Sequence, residues 1–154
     1  GNGVVSRLFD QIREKRGLSY GVESHFEPLT VPGPFVASLQ TRGAQREEAL
    51  ALLRGEIARF VADGPTAGEL EEARRNLVGG FPLRIDNNAK ILENLSMLAF
   101  YGLPLDYLAT WRDKLQAVTL EQVNAAIRRH LKPDAMSVIT VGRSAPATAS
   151  GAGP

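Results

Sequence analysis

The hydrophobic period of this chain changes across a single glycine near its N-terminal end. Val4, Val5, Leu8, Phe9 and Ile12 recur at helical spacing, flanked by Arg7, Asp10 and Glu14. Arg16 and Gly17 then make a helix ending, a cation in the last turn and a glycine just beyond it. From there Leu18, Tyr20, Val22 and Phe26 alternate with Ser19, Gly21, Glu23 and His25, the pattern of a half-buried strand. A chain that must end a helix and enter a strand at one residue has few conformations open to it. Arg13 on the helix and Tyr20 on the strand are thereby sent toward the same region from two rigid elements. Guanidinium and phenol are both donors that can hold a peptide carbonyl or a developing oxyanion.

Downstream, the pattern is mainly helical. Pro28, Pro32, Gly33 and Pro34 mark a loop, and residues 35–41 read as a second strand, antiparallel to the first. A helix is predicted over about 45–62, with Leu50, Leu53, Ile57, Phe60 and Val61 on one face and Asp63-Gly64-Pro65 as its end. Thr66 and Glu69 have the spacing of a capping box. The helix they start carries Leu70, Ala73 and Leu77 inward, and Gly79, Gly80 and Pro82 weaken or kink it. Asp86-Asn87-Asn88 starts another helix that holds Ile91, Leu92, Leu95, Leu98 and Ala99 and closes at Tyr101-Gly102. Pro104 suits the first turn of the next, with Leu108, Trp111 and Leu115 on its buried side. Phe100, Tyr101, Tyr107 and Trp111 are expected to cluster at the corner between these helices. Thr119 and Gln122 repeat the capping box ahead of Val123, Ala126, Ile127 and Leu131. Residues 135–141 read as an apolar strand covered on both faces.

Three strands and about five helices make an α+β domain over residues 1–142, followed by a disordered tail over 143–154. The third strand is too apolar for an exposed edge, so one or more strands preceding Gly1 are expected to complete the sheet.

The segment Ser6-Arg7-Leu8-Phe9-Asp10-Gln11-Ile12-Arg13-Glu14-Lys15-Arg16-Gly17-Leu18-Ser19-Tyr20 resembles the C-terminal-half signature of the pitrilysin/insulinase superfamily of zinc metallopeptidases, which includes the mitochondrial processing peptidases. The resemblance continues through Phe81-Pro82-Leu83, Tyr101 to Tyr107, Val118 to Val123 and Leu131-Lys132-Pro133-Asp134. It implies a mixed or antiparallel sheet covered on one face by helices. It implies that Arg13 and Tyr20 assist catalysis by contacting the substrate carbonyl and the oxyanion. Gly1 and Gly3 stand where the family has the end of a glycine-rich loop, which implies a substrate-binding role for them.

The zinc motif of that superfamily, an inverted His-x-x-Glu-His with a further Glu downstream, is absent from this sequence. His25 and His130 lie far apart, and there is no cysteine. His25 reads as an exposed strand residue, and His130 as a cation at a helix end. The resemblance is therefore to the half that carries no metal, with zinc expected in a partner domain or subunit. There the ion would lower the pKa of the attacking water and polarise the carbonyl. The implied partners are that zinc-bearing half and a peptide substrate. A rival reading is an assembly scaffold of the same superfamily, whose helical face forms a homo-oligomer interface. A third is a free-standing peptide-binding module. Exported bacterial relatives favour the periplasm over the cytoplasm.

Lys plus Arg number 18 and Asp plus Glu 17, so a net charge of +1 gives no electrostatic case for nucleic acid or an anionic membrane. The chain taken alone is expected to bind no stoichiometric transition metal and to cut no peptide. Metal analysis of the purified chain and an assay on an unstructured peptide check this, and a metal-loaded, self-sufficient peptidase would refute it.

Overall fold

A computed structural model describes residues 6–142. Gly1, Gly3, Val4 and Val5, and the tail over 143–154, lie outside the described residues. The described residues divide into two compact units, 6–59 with 131–142 and 60–130. The architecture is α+β and mostly helical.

The first unit opens with a π-helical turn, Phe9–Glu14. Its signature is a bond from Lys15 N to Asp10 O, 2.9 Å, one residue wider than an α-helical bond. The turn stops at Gly17, whose φ of +59° is a left-handed conformation that disfavours a Cβ. Gly17 N donates to Arg13 O and Leu18 N to Ile12 O, at 2.9 and 3.0 Å, so the freed carbonyls are satisfied within the ending itself. Strands β1 (Val22–Phe26) and β2 (Phe35–Leu39) pair antiparallel, with Val22 opposite Leu39 and Phe26 opposite Phe35. The Phe26 and Phe35 rings touch at 5.1 Å between centroids across the ladder. Helix α1 (Arg46–Asp63) supplies Ala49, Leu53 and Ile57 to a buried cluster with Leu8, Ile12, Leu18 and Val22. Phe9, Phe35, Ala37, Leu39 and Met136 pack against that cluster.

Three expectations are corrected in this unit. The first strand begins at Val22, so Tyr20 precedes the ladder instead of belonging to it. The second ends at Leu39; beyond it the Thr41 hydroxyl donates to Leu18 O at 2.6 Å, a side-chain bond in place of a ladder rung. Residues 136–141 form no strand. Among the described residues the sheet has two strands, paired antiparallel. Met136 packs on the core, but Ile139 and Val141 are 87% and 97% exposed. An apolar alternation supplies the side chains of a strand, while the ladder requires a neighbouring backbone.

The second unit is helical. Helix α2 (Ala67–Gly80) begins with a complete capping box: Glu69 N donates to Thr66 Oγ1 at 3.2 Å and Thr66 N to Glu69 Oε2 at 2.6 Å. It ends at its paired glycines, and Pro82–Arg84 form a short 3-10 turn. Helix α3 (Asn88–Phe100) is capped by Asn87, whose side chain accepts from Lys90 N at 3.0 Å. Helix α4 (Tyr107–Ala117) starts after Pro104, which sits in the preceding turn and accepts from Tyr107 N, rather than in the first helical turn. Helix α5 (Leu120–His130) carries the second capping box, closed by Thr119 and Gln122 at 2.9 and 3.2 Å.

The Arg74 guanidinium donates to Glu71 and to Val118 O, tying α2 to the turn before α5. Trp111 stacks on Phe81 at 5.0 Å instead of joining Phe100 and Tyr101, which meet edge to face at 4.9 Å. Of the expected inward set on α3 only Leu98 is buried, and Leu92 is 65% exposed. That helix presents an uncovered apolar face within its unit.

Gly64 ends α1 with φ +71°, and its N–H donates to Phe60 O at 2.9 Å. A Cβ there would fall 1.8 Å from Asn124 Oδ1. Gly64→Ala is therefore expected to destabilise by about 1–3 kcal/mol, the sum of left-handed strain and side-chain overlap. Denaturant unfolding measures the loss. Adding Asn124→Ala should recover only the overlap part, so full recovery would show that the backbone conformation costs nothing.

Candidate functional site

The Gly17 turn sets two side chains against each other. Arg13 leaves the π-helical turn, and Tyr20 follows the glycine just before β1. The Arg13 Cζ lies 4.8 Å from the Tyr20 ring centroid. It also lies 4.6 Å from the ring centroid of Phe9, one turn earlier on the same element. Each distance is within reach of a cation–π attraction. A ring contact of this kind occupies no hydrogen-bond acceptor, so it does not consume the donors of the guanidinium.

Tyr20 is 84% exposed, which distinguishes it from a core tyrosine despite its phase with Leu18 and Val22. Its hydroxyl makes no hydrogen bond among the described residues. The flanking residues are fixed by contrast. Leu18 and Ser19 are buried, and Ser19 Oγ donates to Gly21 O at 2.6 Å. An exposed phenol is thus mounted on an anchored backbone. Arg13 is half-buried, and its nearest carboxylate oxygen, on Glu14, is 3.8 Å from Nε, too long for a hydrogen bond. Lys15 takes Asp10 at 2.7 Å and Arg16 Nη1 donates to Gln11 O at 3.0 Å. The neighbouring cations are thus committed to local partners on this element.

The predicted pair Arg13 and Tyr20 is brought together. Gly1 and Gly3 fall outside the described residues. In the sequence Phe9 belongs to the apolar stripe. The signal that points to its second contact is its four-residue spacing from Arg13, which puts an aromatic and a cation on one helical face.

The residues present do not fit a resident zinc ion. His25 is exposed on β1, paired in register with Val36, and His130 closes α5. No group of three or more His, Cys, Asp or Glu side chains that could hold a metal occurs among the described residues. Nor is any helix among them long and apolar enough to cross a membrane. In the second unit, a depression on α5 is lined by Leu120, Glu121, Asn124, Ala125 and Arg128, all side chains of one helix.

Residues 1–77 match the family described as the peptidase M16 inactive domain. The chain belongs to that family. A crystal structure of a peptidase M16 inactive domain from Pseudomonas fluorescens is 42% identical and superposes with a TM-score of 0.79, over 87% of this chain and 32% of that one. A "non-peptidase homolog" of Helicobacter pylori is 30% identical over 84% of this chain and 30% of its own length. An uncharacterized zinc protease of Mycobacterium tuberculosis is 33% identical over 85% of this chain and 30% of its own length. This M16 inactive-domain chain thus spans under a third of the length of those relatives.

Ile12 is fully buried and immediately precedes Arg13. Ile12→Ala should cost about 2–5 kcal/mol, as deletion of a buried aliphatic side chain does. Denaturant unfolding reads the loss. A cost under about 1 kcal/mol would mean that the turn beneath Arg13 is not held by this core.

Proposed function

We propose that this M16 inactive domain serves as the metal-free half of a zinc protease, acting on extended or unfolded peptides with a zinc-bearing partner domain or subunit. Arg13 holds a backbone carbonyl of the substrate through its guanidinium edge. Tyr20 donates its hydroxyl to the oxygen that gains charge as the carbonyl is attacked. The nucleophile and its base come from the partner.

One observation carries this reading: the 4.8 Å approach of Arg13 to the ring of an exposed, anchored Tyr20. Two donors of different chemistry meet at one surface without consuming each other's hydrogen-bonding capacity. Such preorganised donors stabilise developing charge because no reorientation is needed when it appears. A donor aimed at the oxyanion position is worth roughly 10²–10³ in rate.

A second reading is favoured by the description of the Helicobacter pylori relative as a non-peptidase homolog. In it the chain is an assembly scaffold, and Arg13 and Tyr20 take no part in chemistry.

Reconstitution of the full-length protein with its zinc-bearing partner separates the two. With an unstructured peptide as substrate, Tyr20→Phe should lower kcat about 10²–10³-fold, because the ring is kept and only the donor is lost. Arg13→Ala should lower kcat/KM as well. Turnover unchanged in both variants would sink the catalytic reading and leave the scaffold.

A further inference from the structure

We infer that Phe9 is a positioning residue that holds Arg13 in its substrate-facing orientation. The inference rests on the catalytic reading of Arg13 given above and adds a residue to that site.

Arginine is long and rotamer-rich, so its guanidinium stays in one place only if something holds it. Three groups lie beside that of Arg13. The Glu14 carboxylate, at 3.8 Å, is more than half exposed and too distant to bond. The Tyr20 ring, at 4.8 Å, is itself 84% exposed and has few neighbours to fix it. Phe9 differs from both. Its ring packs against the cluster of Leu8, Ile12, Leu18, Val22, Ala49, Leu53 and Ile57, and Arg13 Cζ lies over it at 4.6 Å. Of the three, Phe9 is the contact that connects the guanidinium to the core.

The chemistry of the contact suits that task. A ring attracts the face of a guanidinium and leaves the N–H groups around its edge free. A carboxylate in the same place would occupy those N–H groups. The ring therefore orients Arg13 without competing with a substrate carbonyl for its donors. Both residues leave the same π-helical turn, whose ending at Gly17 also sets the approach of Tyr20. Such π turns are uncommon and concentrate at functional positions.

The test uses the full-length protein with its zinc-bearing partner, an unstructured peptide substrate, and arginine side-chain NMR. Phe9→Leu keeps an apolar group against the core but removes the ring. It should lower kcat/KM roughly three- to tenfold, the range expected for loss of one cation–π contact. The Arg13 Nε–H resonance, shielded by the ring in the parent, should move downfield. Phe9→Tyr should keep both the resonance and at least half of the activity. A stability measurement on each variant accompanies the kinetics.

An Arg13 resonance unmoved by Phe9→Leu overturns the inference. So does a Phe9→Tyr variant as impaired as Phe9→Leu, since that marks a packing defect. Loss in Arg13→Ala with none in Phe9→Leu removes the role of Phe9 and leaves the catalytic reading standing. No loss in Arg13→Ala removes the catalytic reading beneath it, and with it any substrate-facing role for Phe9.

Discussion

The left-handed backbone at Gly17 is the constraint on which the first unit turns. It lets a π-helical segment stop abruptly, returns the N–H groups of Gly17 and Leu18 to the Arg13 and Ile12 carbonyls, and sends the chain straight into the approach to β1. On one side of that glycine, Ile12 is sealed in the core; on the other, Leu18 is sealed in the same core. The residues that face away, Arg13 and Tyr20, have their positions set by these two buried neighbours. Any residue with a Cβ at 17 would strain the conformation that keeps the two anchors in one cluster.

Much of this was legible from pattern alone, because the signals were local. The glycine ending, the hairpin, both capping boxes and the long helix α1 each follow from residues within a few positions of one another. Pairing Arg13 with Tyr20 was also legible, from a helix and an alternating run on either side of one glycine. The failures share a different cause. Residues 136–141 have strand chemistry, yet no backbone pairs with them among the described residues. The face of α3 has the right period, yet only Leu98 is buried. Periodicity states which side chains can be covered; what covers them depends on chain that need not be nearby in sequence.

The site shows the same divide at the scale of single residues. Tyr20 shares the phase of the core residues Leu18 and Val22, yet it is not buried with them. The strand begins only at Val22, and the bend before it turns the phenol outward. The contact of Phe9 with Arg13 was hidden for the opposite reason. A phenylalanine on an apolar stripe is fully accounted for by packing, so its four-residue spacing from Arg13 is easily passed over as a signal.

An arginine secured by rings differs in kind from one secured by an ion pair. Ion pairs at a surface weaken as counter-ions accumulate, because mobile charge screens them within roughly 10 Å at 0.1 M salt. Dispersion and quadrupole contacts against a packed aromatic are far less exposed to that screening. The Phe9 contact therefore adds no counter-charge to Arg13, and its own strength depends little on ionic strength. Salt still screens the charge of Arg13; what it leaves in place is the ring contact itself.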